Sequence, residues 1–212
     1  MDVTQAVRER FDGRAPEYDD STMHRELASA VAGFVSLDGV GAVLDAGTGT
    51  GLVLRALASC PDGEGVRLAG IDLSPGMLAV ARAALPGAEL VEGDAAALPF
   101  ADASFDLVTC STALHLFPDG DAALAEWVRV LRPGGRVVTA TFVGFDPSHH
   151  HRHQGAADGA QTPPPATYPM HHDRFDTVER VAAFGATAGL GVRRHTTWTD
   201  GNDTVLLVEL GR

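Results

Sequence analysis

Cysteine is scarce in this chain of 212 residues, where Cys60 and Cys110 are the only two. They are too few and too far apart in sequence for a disulfide framework or a zinc knuckle, which fits a reducing compartment. No apolar run approaches the roughly 20 residues that cross a bilayer. The opening MDVTQAVRERFDGRAPEYDD is mixed in charge and lacks the apolar stretch of an export signal. A cytoplasmic protein with no membrane association is therefore expected. Positive charge is also short: 16 Lys and Arg face 28 Asp and Glu, a net charge of −12, with no basic stripe along any segment. Affinity for nucleic acid leans on cations that neutralise phosphates, so neither DNA nor RNA is expected as a partner. No internal repeat is visible, and neither a heptad pattern nor an edge-strand feature decides the oligomeric state. A single domain over residues 1–212 is expected, since this length buries one substantial core and leaves little room for another.

What is present is an alternation. Short aliphatic or β-branched runs stand at 42–47, 67–72, 88–94, 105–110 and 135–142, with helix candidates between them at 52–59, 75–85 and 121–132. Strands alternating with helices imply an α/β fold with a parallel sheet covered on both faces. Ser74-Pro75 reads as an N-cap followed by proline at the first helical position, and Pro133-Gly134-Gly135 should stop the preceding helix at Arg132. A last helix at about 174–188, ended by Gly189 or Gly191, leads into GVRRHTTW and TVLLVEL. Asp-Gly in the linking TDGND is a hairpin signal, so these two strands should pair antiparallel. Residues 146–173 break the pattern: they are rich in His, Pro, Gly and Ala, and a loop of that length is usually functional or disordered.

The sharpest site is VLDAGTGTG. A buried strand carries Asp45, and Gly47, Thr48, Gly49, Thr50 and Gly51 follow before the next helix. Glycine permits positive φ and close approach of a ligand, and the helix N-terminus offers free N–H groups. The dehydrogenase fingerprint G-x-G-x-x-G would need a third glycine where Leu52 stands, which argues against a nicotinamide-dependent oxidoreductase. Asp72 ends the second strand in GIDLSPGML, where an acid can accept ribose hydroxyls or, alternatively, cap the helix at Pro75. Asp94 ends the third strand and could accept from an exocyclic amine of adenine, with the Ala95 N–H available to a ring nitrogen. Three successive strand ends each bearing a polar group suit a ligand laid across the carboxyl edge of the sheet.

VLDAGTGTG, GIDLSPGMLAVAR, GDAAALPFADASFDLV and LRPGGRVV, in this order and spacing, resemble class I methyltransferases that use S-adenosyl-L-methionine (SAM). Within that class the chain looks most like the ubiquinone and menaquinone biosynthesis type, the methyltransferase 11 group, closely over residues 40–143. The resemblance implies a doubly wound, mostly parallel seven-stranded Rossmann-like sheet with an antiparallel last strand. It places Asp45 and the glycines at the amino-acid part of SAM, Asp72 on the ribose, Leu73 and Met77 against adenine, and Asp94 and Ala95 at the adenine edge. Ser111 would lie near the methionine portion. FDGRAPEYD is similar to an F-x-x-x-A-x-x-Y-D stretch before many of these domains, in which Tyr18 closes over the cofactor; core packing is the plainer role for that ring.

Such an enzyme moves a methyl group to its acceptor by direct in-line displacement and leaves S-adenosyl-L-homocysteine (SAH), so few catalytic residues are needed. A small-molecule acceptor is expected. His115, on the loop after the fourth strand, is the candidate base for an oxygen or nitrogen acceptor, against a purely structural imidazole beside the cofactor. No metal is expected, although His149, His150, His151 and His153, with His171 and His172, form a group that could bind one. Residues 1–40 read as an N-terminal helical cap. The insertion 146–173, together with 11–24, reads as a lid over the acceptor. A SAM-binding regulatory or assembly protein without catalysis is the alternative, since the cofactor positions could persist while an acceptor site decays.

Overall fold

The computed structural model describes residues 2–144 and 168–212. The loop expected to act as a lid, including His149, His150, His151 and His153, lies for the most part outside the described residues.

Three helical segments precede the sheet: α1 (Val3–Arg14), a 3-10 stretch (Ala15–Asp20) and α2 (Thr22–Phe34). Then come β1 (Ala42–Ala46), α3 (Leu52–Ala58), β2 (Arg67–Asp72), α4 (Pro75–Ala84), β3 (Glu89–Glu92) and β4 (Phe105–Ser111). The remainder is α5 (Gly120–Val130), β5 (Leu131–Phe142), α6 (Val178–Ala186), β6 (Gly191–Thr199) and β7 (Thr204–Gly211). The seven strands form one sheet in the order β3-β2-β1-β4-β5-β7-β6. The first five pair parallel, and β7 runs antiparallel to both β5 and β6. The doubly wound α/β sheet with an antiparallel last strand is therefore the observed architecture.

Both faces are covered, which is why the central strands read as continuous apolar runs rather than alternating ones. In β1, Val43 packs with Leu27 and Val31 of α2 and Leu54 and Leu57 of α3, whereas Leu44 joins the cluster holding Leu124 and Trp127 of α5 and Val181 and Phe184 of α6. Each such aliphatic side chain, taken fully out of water, contributes about 2 kcal/mol.

The caps explain the element boundaries. Ser74 Oγ accepts the Met77 N–H at 3.0 Å with Pro75 at the first helical position, as its sequence signals. Ser21, Asp119 and Thr177 cap α2, α5 and α6 in the same way. Several boundaries differ from expectation: β3 stops at Glu92, two residues short of Asp94, β5 starts at Leu131 rather than 135, and α3 and α4 each end one residue early. α5 ends at Val130 and not at Arg132, because Leu131 is extended and pairs with Phe105, and Pro133 disfavours a helical Arg132. The last helix begins only at Val178, where the Thr177 cap sets its start, after a separate 3-10 turn at His172–Arg174. Gly189, at φ +75°, terminates it.

Parallel pairing places the ends of β1, β2, β3 and β4 side by side at one edge, and α1 lies across α4 above that edge. None of the helices among the described residues is long and apolar enough to cross a membrane.

Candidate functional site

Two adjoining cavities open at the carboxyl edge, of about 750 and 400 Å³ including their open mouths. They share Tyr18, Gly47, Gly49, Ser111 and Thr112 as a common wall. The larger is lined by Asp72, Leu73, Met77, Asp94 and Ala95, with Val7 and Phe11 of α1. The smaller is lined by Asp45, Thr48 and Thr50, with His24 and Leu27 of α2.

The glycine turn is held from below by β2. The Gly47 and Thr48 N–H groups donate to the Ile71 carbonyl at 2.9 and 3.0 Å, and the Gly49 N–H donates to Asp72 Oδ2 at 2.8 Å. The three glycines have different reasons to be glycine. At Gly47, φ +72°, a Cβ would sit 2.6 Å from the Ala113 Cβ, so a side chain is excluded by the protein itself. At Gly49, φ +55°, a Cβ would meet nothing within 4 Å, yet this residue walls both cavities. Open space at that point is room for a ligand. Gly51, the N-cap of α3 at φ +79°, packs toward Leu85 and Ala81 and lines neither cavity.

Asp72 is a strut as well as a cleft residue. Its Oδ1 accepts the Ser74 N–H at 2.9 Å while Oδ2 takes Gly49. A carboxylate has about four acceptor positions, so lone pairs remain for a diol. Burial pushes its carboxyl above the usual carboxylate range, opposed by these N–H donors. Asp45 is more deeply sunk, at 2% exposure, and burial raises its pKa to about 6 against the Thr109 hydroxyl bond of 2.6 Å. Thr48 Oγ1 is buried and meets no partner at good hydrogen-bond geometry, although it helps to hold the charge on Asp45. A buried polar group in that state is rare and marks a place where a ligand would complete it. Asp94 is exposed at the rim, its Oδ1 accepting the Ala96 N–H at 2.9 Å.

The N-terminal segment is fastened over this edge by two carboxylates. Asp12 accepts from Ser74 Oγ at 2.6 Å and from the Gly76 N–H at 2.9 Å. Asp19 accepts from Thr50 Oγ1 and from Arg55, each at 2.5 Å. Between them Tyr18 stacks on His24 with ring centroids 4.4 Å apart, and burial pushes its hydroxyl up in pKa. Thr112 holds φ at +51°, one of two non-glycine residues with positive φ among those described.

Of the residues singled out from sequence, Tyr18, Asp45, Gly47, Thr48, Gly49, Asp72, Leu73, Met77, Asp94, Ala95 and Ser111 are all brought to the walls of these cavities. Among the described residues Gly51 and His115 line neither. The His115 ring is stacked on His172 at 3.8 Å, and its carbonyl accepts the His171 N–H at 2.8 Å. His24 and Thr112 were missed. His24 carries no local motif, and the strain at Thr112 is a property of backbone angles that its residue type does not signal. No group of three or more His, Cys, Asp or Glu stands ready for a metal among the described residues.

Residues 44–139 match the methyltransferase 11 family, described as a methyltransferase domain. Over that stretch the chain is similar to class I methyltransferases. That match runs from β1 into β5 and so contains the glycine turn and all four strand ends. The chain is 38% identical over 142 residues to the demethylmenaquinone methyltransferase of Renibacterium salmoninarum, covering 64% of this chain and 58% of that relative. It is 36% identical over 138 residues to the malonyl-[acyl-carrier protein] O-methyltransferase of Serratia marcescens, covering 65% and 52%. The protein solved in complex with the Trm112 methyltransferase activator of Haloferax volcanii superposes with a TM-score of 0.74 at 25% identity, over 97% of each chain. The chain spans 45–62% of the length of the curated relatives it matches. The resemblance to the quinone-biosynthesis methyltransferases, read from the four motifs, is borne out by these matches.

Proposed function

We propose that this protein is a SAM-dependent methyltransferase acting in the cytoplasm on a small, non-nucleic-acid acceptor. The observation that supports it above others is a pair of adjoining cavities lined by Asp45 of β1, Asp72 of β2 and Asp94 just past β3, with Gly49 and the open space beside it on the wall common to both.

The residues fit the group. Asp72 has lone pairs free for two adjacent ribose hydroxyls, and Leu73 and Met77 offer an apolar wall for adenine. Asp94 and the Ala95 N–H would take the adenine edge, and Asp45 with the buried Thr48 hydroxyl would face the amino-acid end. When bound, SAM supplies an electrophilic methyl on a sulfonium that is its own leaving group. The protein's share is to hold the acceptor in line, keep water out and, for an oxygen or nitrogen acceptor, receive a proton. Val7, Phe11 and Tyr18 roof the cleft and exclude water. Ser111 and Thr112, on the wall common to both cavities, stand beside the junction where nucleoside and amino acid meet.

The relatives' names point to different acceptors, a demethylmenaquinone and a malonyl group on a carrier protein. The larger share of matches suggests a quinone-like ring for this chain too. Titration calorimetry with SAM and with SAH, on the wild type and on Asp72→Ala, tests the cofactor; micromolar binding that collapses in the variant is expected. Labelled-methyl transfer to a panel of demethylated quinones then tests the acceptor. No heat with either nucleoside ligand refutes the proposal.

A further inference from the structure

A nucleoside accounts for the larger cavity and leaves the smaller one to the charged tail of SAM. That tail bears an ammonium and a carboxylate on one carbon, so its site needs an acid on one side and a cationic donor on the other. Asp45 is the acid. Among the described residues no arginine lines the smaller cavity, and of those that do line it His24 is the one side chain able to carry a positive charge. Arg55 lies nearby in sequence but is held by Asp19, and Arg14, over the Tyr18 ring at 5.4 Å, lines neither cavity.

We propose that His24 is the counter-group for the carboxylate at the amino-acid end of SAM, facing Asp45 on the ammonium. The inference rests on the SAM reading above and adds a binding residue to it.

Three features of the chain shape His24 for this task. Its ring lies parallel to Tyr18, with an interplanar angle of 9°, which fixes the plane in which its N–H groups can point. It stands in the first turn of α2, where Ser21 Oγ accepts its backbone N–H at 3.3 Å, and the 13-residue helix directs its positive end toward an anion placed there. The buried Thr48 hydroxyl on the wall of the same cavity is a second donor without a partner at good geometry. Asp45, kept partly neutral by burial up to about pH 6, would be drawn fully into its charged form by the ammonium.

The test is calorimetry with two probes, SAH and its analogue without the carboxylate, S-adenosyl-3-thiopropylamine. His24→Phe keeps a ring to stack on Tyr18 and removes the donor and the charge. SAH affinity should fall by about ten-fold or more, the scale of one charge-assisted hydrogen bond. The decarboxylated analogue should bind the wild type and the variant alike, within about two-fold. Should His24→Phe not fold, His24→Gln, which drops the charge and keeps one donor, serves the same comparison. Unchanged SAH affinity, or equal loss for both probes, overturns the role of His24 while leaving the SAM reading intact. Absence of SAH binding to the folded wild type overturns both.

Discussion

The Asp72 carboxylate receives the Gly49 amide at 2.8 Å, so the acid at the end of β2 is the same group that holds the glycine turn after β1 in place. Ligand affinity and the shape of the turn are thereby coupled through one side chain. Asp72→Asn would place an amide N–H against one of the two backbone donors it now accepts. Loss of SAH affinity by about 100-fold is expected in calorimetry, near the cost of one or two bonds to a charged group. Wild-type affinity in that variant would remove Asp72 from the site.

Asp45 should make stability depend on pH. Its carboxyl titrates near 6 in the folded chain against 3.8 for the ordinary group, so the folded state binds its proton more tightly than the unfolded one. The benefit is complete below pH 3.8 and is lost as pH rises toward 6, an effect of about 3 kcal/mol at most by linkage. Urea unfolding of the wild type and Asp45→Asn at pH 4 and pH 7.5 should show the variant gaining relative stability at the higher pH. A constant difference between the two proteins would contradict the buried, raised carboxyl.

Gly47→Ala and Gly49→Ala separate packing from ligand space. The first sets a Cβ 2.6 Å from Ala113 and should cost about 2–4 kcal/mol in unfolding free energy. The second meets no neighbour, so only the positive φ is penalised, about 1 kcal/mol, while SAH binding is blocked. Equal destabilisation by both substitutions would show that Gly49 does not face open space.

Asp19→Ala releases the latch to Thr50 and Arg55. The Arg55–Asp19 pair is about a third exposed, so the global loss should stay within about 1–2 kcal/mol. Hydrogen exchange across 3–20 should nonetheless speed up by about an order of magnitude, because the segment that roofs the cleft is held at few points. Unaltered exchange would mean that Asp12, through Ser74 and Gly76, suffices alone.

His115→Ala tests the expected base. With its ring stacked on His172 and off both cavity walls, the variant should keep SAH affinity within about two-fold and lose turnover on an oxygen or nitrogen acceptor only if His115 moves the proton, by about 100-fold. Normal turnover at saturating acceptor assigns it a structural place.

Local chemistry made most of this legible before any coordinates. Glycine spacing, acids at or just past the strand ends and Ser74-Pro75 are signals written within a few residues. Asp45, Gly47, Gly49, Asp72 and Asp94 come to the cavity walls and Ser74 caps α4, whereas Gly51 lines neither cavity and Asp94 lies beyond the end of β3. Long-range contacts were not legible. Nothing near Asp12 announces Ser74, 62 positions away, and nothing near His24 announces a cavity shared with Asp45. The overlong helix reading at 121–132 failed because amphipathic spacing continues smoothly through Leu131, whereas pairing with Phe105 decides its backbone.

The position of β7 bears on how the chain is born. β6 is made first, yet its place in the sheet is beyond β7, and β5 has β7 as its outer neighbour. As the polypeptide leaves the ribosome, β5 presents an open hydrogen-bonding edge and β6 has nothing to dock on, until residues 204–211 emerge and slot between them. That interval is when the nascent chain is most open to pairing with a stranger.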